Sequence, residues 1–293
     1  MQKNTPSRNA IRLTRRGRLA LVATGAVVAG TAVAVPLLTL GDGDPRPTTL
    51  VIPEGHRASQ VYAAVDKALR LPAGSTKKSL AKAALKLPGD AEGNPEGYLF
   101  PATYPLKEKA TPEQLLSLMV DTAHKKFNGA PVAAGAQRNA MNVYQAVTVA
   151  SIVQAEASTK ADMGKVARVI FNRLERGMPL QMDSTVDYAL GRSASRTTEA
   201  DAEVDSPYNS YTRMGLPPTP IDNPGEDAMR AAITPTPGDW LYFVTVAPGD
   251  TRFTADHKEH QRNVAEFNAR QKKEKAEKEK EEGEQEASGR PEK

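Results

Sequence analysis

Asn142-Val-Tyr-Gln-Ala-Val-Thr-Val-Ala-Ser-Ile-Val-Gln-Ala-Glu-Ala-Ser158 is the stretch on which the reading of this chain turns. Val149, Ile152, Val153 and Glu156 fall at i, i+3, i+4 and i+7, the spacing of one helical face. Three of those four positions are apolar. A helix that buries them carries the carboxyl of Glu156 toward the same side. An unpaired buried carboxylate is costly and answers by keeping its proton. A protonated glutamic acid at the edge of a cleft suits glycosidic chemistry as a general acid. The alternative is that Glu156, in the last helical turn, simply faces water, as most helical glutamates do.

Composition narrows the classes outward from that helix. The chain has 293 residues, 39% of them hydrophobic, with a formal net charge of +4. That length allows one large domain or two small ones, with tails. The positive balance is mild and much of it sits at the N-terminus, so nucleic acid is not an expected partner. There is no cysteine, which excludes disulfides, zinc–thiolate sites and a cysteine nucleophile.

Residues 19–40 carry no charge and are long enough, as a helix, to cross a hydrocarbon core. Arg12, Arg15, Arg16 and Arg18 precede them, and Gly41-Asp-Gly-Asp44 follows. Positive residues stay in the cytoplasm, so a single-pass anchor with an extracytoplasmic working domain is expected. A cleaved signal peptide is the competing reading, with Ala32-Val-Ala34 as its cleavage site. Both readings place the domain outside the membrane.

Beyond a linker, Leu50 to Gly55 reads as a strand ending in a turn, and Ala58 to Leu69 as an amphipathic helix. A short helix is expected over Lys78 to Lys86, stopped by Pro88-Gly89. Pro95-Glu-Gly-Tyr-Leu-Phe-Pro-Ala-Thr-Tyr104 holds two prolines and three aromatics, which argues against a regular element. Its aromatics can line a saccharide cleft, or Tyr98, Phe100 and Tyr104 can cap a core. Thr111-Pro112 opens a helix to about Phe127, with Thr111 as N-cap. Met163 to Arg176 continues as helix and Gly177 ends it. Gln181, Asp183, Thr185 and Tyr188 lie in a segment that mixes polar and apolar residues and are candidates for ligand contact.

Ser206 to Gly225 is a long stretch rich in tyrosine and proline, and a loop of that length is expected to be functional. A helix over Gly225 to Ile233 and a hairpin of Trp240–Val246 with Thr251–Thr254 follow. A last helix spans about Ala255 to Arg270. Beyond it, 271–293 is Lys/Glu-rich, a solvated helix or a disordered tail.

Other chemistries find little support. His257 and His260 have i, i+3 spacing but lack a third ligand nearby and read as a surface pair on a charged helix, so no metal is expected. No phosphate loop, dinucleotide fingerprint, HExxH or G-x-S-x-G motif occurs, and no cofactor is expected.

The run Ala150-Ser-Ile-Val-Gln-Ala-Glu156 resembles the catalytic helix of the endolytic murein transglycosylases, the YceG-like family. So do Glu96-Gly-Tyr-Leu-Phe-Pro101, Phe171-Asn-Arg-Leu174, Leu180-Gln-Met-Asp183, Tyr208-Asn-Ser-Tyr211, Gly215-Leu-Pro-Pro218 and Asn223-Pro-Gly225. The likeness runs in order from about Leu50 to Asn268. Each motif is weak alone and together they are specific. Two departures stand out. Gln154 occupies a position that is often glutamate in the family. The region before the catalytic part is also shorter than in many members and keeps only a remnant of a LysM-like module.

The resemblance implies an α+β protein with an N-terminal transmembrane helix. After a small strand–helix lead-in comes a mainly helical catalytic domain with a β-hairpin. The expected organisation is a cytoplasmic basic tail (1–18), transmembrane helix (19–40), linker (41–49), lead-in (50–92), catalytic domain (93–270) and charged tail (271–293). It implies cleavage of the MurNAc-β-1,4-GlcNAc bond of peptidoglycan with formation of 1,6-anhydro ends, terminating nascent strands beside the synthesis machinery. Glu156 takes the acid/base role. Glu96, Tyr98, Gln181, Asp183, Tyr208, Asn209 and Tyr211 are expected in the cleft as hydrogen-bonding and stacking groups. A membrane-tethered binder with a dead cleft is the rival reading, and Gln154 is the feature that leans toward it.

Overall fold

The structure, a computed structural model, describes residues 48–192 and 198–288. The basic tail, the expected anchor at 19–40 and most of the linker lie outside the described residues. Among the described residues no helix is long and apolar enough to cross a membrane.

Helix α5 (Val143–Glu156) is the axis of the fold. Asn142 caps it: the Asn142 side chain accepts from the Gln145 amide at 2.9 Å and Gln145 reaches back to the Asn142 amide at 2.9 Å. Tyr144 and every residue from Ala146 to Val153 are buried. The apolar spacing expected of one face is therefore only part of a helix enclosed on all sides. Its two buried hydroxyls do not go unpaired. Thr148 donates to the Tyr144 carbonyl, while Ser151 donates to the Thr148 carbonyl and accepts from the Ile221 amide.

Three helices pack around α5: α4 (Ala130–Arg138), α6 (Lys160–Glu175) and α9 (Glu226–Ile233). Each buried Val or Ile in this layer is worth about 1.5–3 kcal/mol by removal from water. Short α7 (Asp183–Ala189) meets α5 near its C-terminal end, and α8 (Glu199–Ala202) precedes the tyrosine-rich loop. α4 and α7 were not legible as helices from the sequence.

The lead-in shares this core. β1 (Thr49–Val51) pairs antiparallel with β2 (Thr103–Pro105), Leu50 facing Tyr104. The strand β2 lies just beyond the proline-bounded loop and extends into the segment read as irregular. α1 (Ala58–Leu69) packs by Val61 and Val65, both fully buried, and α2 (Ser75–Ser79) is shorter and earlier than the helix expected over Lys78–Lys86. α3 (Pro112–Phe127) starts at the expected cap, Thr111. Leu50, Ile52 and Val61 belong to the same buried cluster as Ile152 and Ile170, so residues 50–92 are not a separate module. Fully buried Asn223 stitches the two regions together. Its Oδ1 accepts from the Leu99 amide at 2.7 Å and its Nδ2 donates to the His56 carbonyl at 2.8 Å.

β3 (Tyr242–Ala247) and β4 (Asp250–Thr254) form the expected hairpin, turning through Pro248-Gly249 with Gly249 at φ +77°. α10 (His257–Ser288) packs its first turns on this hairpin. The Lys/Glu-rich segment continues α10 as a solvated helix, exposed from Gln271 to Glu279.

Candidate functional site

At the C-terminal end of α5 a cleft of about 770 Å³ opens between α5, the 180–183 segment, β3 and α10. That is an ordinary volume for a ligand site. Glu156 lines it, with Arg173, Gln181, Asp183, Tyr211, Tyr242, His257 and His260. A larger cavity, about 950 Å³, lies at the other end of α5 around Asn142, Tyr144 and Phe171. None of the sequence-predicted site residues lines it, and it is roughly 20 Å along the helix from Glu156. The smaller cleft is the candidate site because it holds the chemistry.

Glu156 is half-buried. Its Oε1 accepts from the Ser184 amide at 3.0 Å and from the Ser184 hydroxyl at 2.6 Å. No described residue donates to Oε2. Burial pushes the carboxyl above its ordinary pKa, and the negative charges of Asp183 and Asp187 push the same way, while the Ser184 donors oppose. The group therefore favours its proton yet has a ready hydrogen-bond partner for the carboxylate it becomes. α7 has no side-chain cap of its own, so Glu156 also satisfies an orphan amide in that helix's first turn.

The cleft wall is built by stitching two loops. Ser210 Oγ accepts from the Met182 amide at 2.9 Å and meets the Thr185 hydroxyl at 2.8 Å. The Gln181 amide donates to the Ser210 carbonyl at 3.0 Å, and Gln181 itself sits at φ +52°. A left-handed conformation is unfavourable for a long side chain and persists only where the surroundings enforce it. Asp183 accepts from the Tyr211 hydroxyl at 2.5 Å, which makes that carboxylate a wall group rather than a free acid.

Three residues expected in the cleft therefore meet there with Glu156: Gln181, Asp183 and Tyr211. Four do not. Tyr98 is 1% exposed and stacks on Tyr144 at 6.1 Å, so it belongs to the core. Phe100 and Tyr104 are buried with it, the core alternative for that loop. Asn209 is fully buried. It donates to the Ala202 and Val204 carbonyls and accepts from the Tyr211 amide, shaping the loop from inside. Tyr208 bonds the Thr219 hydroxyl at 2.9 Å and packs on Tyr188 at 4.8 Å, away from the lining. Glu96, 4% exposed, accepts from the Ala58 amide at 2.8 Å and so caps α1. Tyr188 also donates to Glu96, and burial raises the Glu96 pKa to about 7. Thr185, a weaker candidate, is fully buried.

Gln154 points elsewhere. Its Oε1 accepts at 3.0 Å from the amide of Gly225, the residue that opens α9. Position 154 thus serves the α5–α9 packing.

The sequence reading missed Ser184, Arg173 and Tyr242, and it set His257 and His260 aside as surface residues. A signal was available for the histidines. His257, His260, Val264 and Phe267 recur at i, i+3, i+7 and i+10, one face of α10, and all four line the cleft. Among the described residues no group of three or more His, Cys, Asp or Glu is arranged to hold a metal ion.

The YceG-like family model matches residues 29–266. An endolytic murein transglycosylase of Bacillus subtilis (strain 168) is 40% identical over 168 residues, covering 57% of this chain and 46% of that protein. One from Streptococcus pneumoniae serotype 2 (strain D39 / NCTC 7466) is 34% identical over 254 residues, covering 76% of this chain and 45% of that protein. The chain thus spans about half the length of these curated relatives. A 2.6 Å crystal structure of a YceG-like protein from Listeria monocytogenes matches with a TM-score of 0.68 at 35% identity, over 74% of this chain and 76% of that one.

Proposed function

Because the chain belongs to the YceG-like family, we propose that it is a lytic transglycosylase of peptidoglycan in which Glu156 is the acid and the base. The observation that carries this reading is the geometry of a half-buried carboxyl that lines the cleft and is held through one oxygen by Ser184. The protonated carboxyl donates to the glycosidic oxygen of the MurNAc-β-1,4-GlcNAc bond as positive charge builds on the muramyl C1. The carboxylate, now stabilised by both Ser184 donors, takes the proton of the muramyl C6 hydroxyl. That oxygen closes on C1 and leaves a 1,6-anhydro end. The nucleophile is part of the substrate, so proximity supplies much of the rate and a second catalytic carboxylate is not needed. Asp183, tied to Tyr211, positions substrate.

The uncharged stretch at 19–40 supports anchoring to a membrane with the cleft on the extracytoplasmic side. Action on nascent strands near the membrane, beside the synthesis machinery, is part of the same proposal.

Glu156→Gln keeps the acceptor for Ser184, so the variant should fold normally by circular dichroism and melting. It should lose glycan cleavage by at least about 10²-fold, the lower range for a general acid. Product masses settle the class. Wild-type fragments lighter by one water support the transglycosylase. Ordinary reducing ends would make it a hydrolase, and intact glycan that co-sediments with the protein would make it a binder.

A further inference from the structure

The cleft carries groups of both signs: Glu156 and Asp183 among its acids, Arg173, His257 and His260 among its basic groups. Arg173 is only 6% exposed. Its Nε donates to the Leu241 carbonyl at 2.6 Å, and Nη1 donates to the Pro179 and Leu180 carbonyls and to Gln181 Oε1 at 2.8–3.0 Å. Every one of these acceptors is neutral. Nη2 has no hydrogen-bond partner among the described residues, and no described carboxylate forms an ion pair with this guanidinium. A buried cation with no counter-charge is expensive to maintain unless something charged completes it.

Its neighbours sharpen the point. The guanidinium lies over the Tyr242 ring at 5.1 Å, and the His260 ring stacks on the same tyrosine at 5.0 Å and 19°. His257 packs against it at 5.4 Å. His260 Nδ1 is buried with no hydrogen-bond partner. The charged and titratable groups around His260 are Arg173 from α6, Tyr242 from β3 and His257 from its own helix. Burial lowers its pKa first, and the positive charges of Arg173 and His257 lower it further. A bound anion would offset the positive charge of Arg173 and favour protonation of His260.

We propose that Arg173, His260 and Tyr242 form an anion subsite that takes a carboxylate carried by the muramyl residue of the glycan. The proposal rests on the transglycosylase reading for the identity of the strand. Muramyl units offer two sources of one chemistry: the lactyl carboxylate where no peptide is attached, and the peptide carboxylates where one is. Holding that group beside Arg173 and His260 would fix the register of the strand, and so which glycosidic oxygen is presented to Glu156. His260 and Arg173 act as binding residues.

The test titrates N-acetylmuramic acid, muramyl dipeptide and the methyl ester of N-acetylmuramic acid into the full chain. It follows the imidazole NMR signals, assigned with His257→Gln and His260→Gln. The acids should shift the His260 signals and raise its apparent pKa, while the ester should not. Whichever acid acts at lower concentration identifies the carboxylate. Equal response to acid and ester, or no response to either acid, overturns the subsite. This reading needs no turnover, so it stands apart from the fate of Glu156. Kinetically, the parent should show a several-fold lower KM for carboxylate-bearing strands than for amidated ones. In His260→Gln that difference should vanish. A kcat loss without a KM change points instead to a structural role and also overturns the proposal. Arg173 is too deeply bonded for its variants to serve alone.

Discussion

One oxygen of Glu156 is tethered by Ser184 while burial and two neighbouring aspartates raise its pKa above the ordinary carboxyl value, and these opposed influences set its behaviour. Ser184→Ala removes one donor to the charged state. The pKa of Glu156 should rise further, moving the alkaline limb of the pH–rate profile upward because the protonated acid survives to higher pH. Proton donation by this weaker acid, whose carboxylate has lost a donor, should also cost about tenfold in kcat. A limb that moves downward would contradict this arrangement. Glu96 supplies a contrasting case, a buried acid with a structural job. The folded state holds its proton up to about 7, against an ordinary value of 4.5, so the folded chain binds more protons between those limits. Stability from this group is therefore full below about 4.5 and falls as pH rises toward 7, by roughly 3 kcal/mol at about 1.4 kcal/mol per pH unit. Glu96→Gln retains the Ala58 acceptor and should flatten that slope in denaturant melts at pH 5 and pH 8. An unchanged slope would exclude Glu96 as its source.

Among the elements, several announced by nearby residues formed where the sequence placed them, although the helix expected over Lys78–Lys86 formed earlier, at Ser75–Ser79. Thr111 with Pro112 starts α3, Asn142 with Gln145 starts α5, and Pro248-Gly249 turns the hairpin. Capping atoms lie within three residues of the amides they satisfy, so their signal is local. α7 escaped notice because its cap comes from Glu156, 28 residues away in sequence. β2 escaped because its partner strand lies more than fifty residues upstream. The loop leading to β2 depends on one tight approach. Gly97 sits at φ +83°, and a Cβ there would fall 2.5 Å from Pro220 Cγ. Gly97→Ala should destabilise the fold by about 2 kcal/mol or more through strain and overlap together. A thermal melt that matches the parent would show that the 96–100 loop can shift without cost.

For the molecule as a whole, one core joins the lead-in to the rest of the fold, and the charged end of the C-terminal helix stays outside it. Gln271 to Glu279 are exposed and carry surface pairs such as Lys273–Glu277. Such pairs contribute a few tenths of a kcal/mol each. A chain ending at Arg270 should melt within about 2 °C of the parent and keep its activity. A larger drop would assign the tail a stabilising role that its exposure does not support. By itself the sequence determined the α+β class and the main helices and hairpin, and it pointed to Glu156 as the candidate acid. Their signals, apolar spacing and nearby caps, act across a few residues. Only the tertiary structure decided which polar side chains share the cleft. Glu96, Tyr98, Tyr208 and Asn209 left it, Arg173, Tyr242, His257 and His260 entered, and Ser184 reached Glu156 from α7. The reason is physical. Whether a buried acid caps a helix or carries a proton, and whether a histidine faces water or a tyrosine, depends on groups brought from distant parts of the chain, and no local pattern records their arrival.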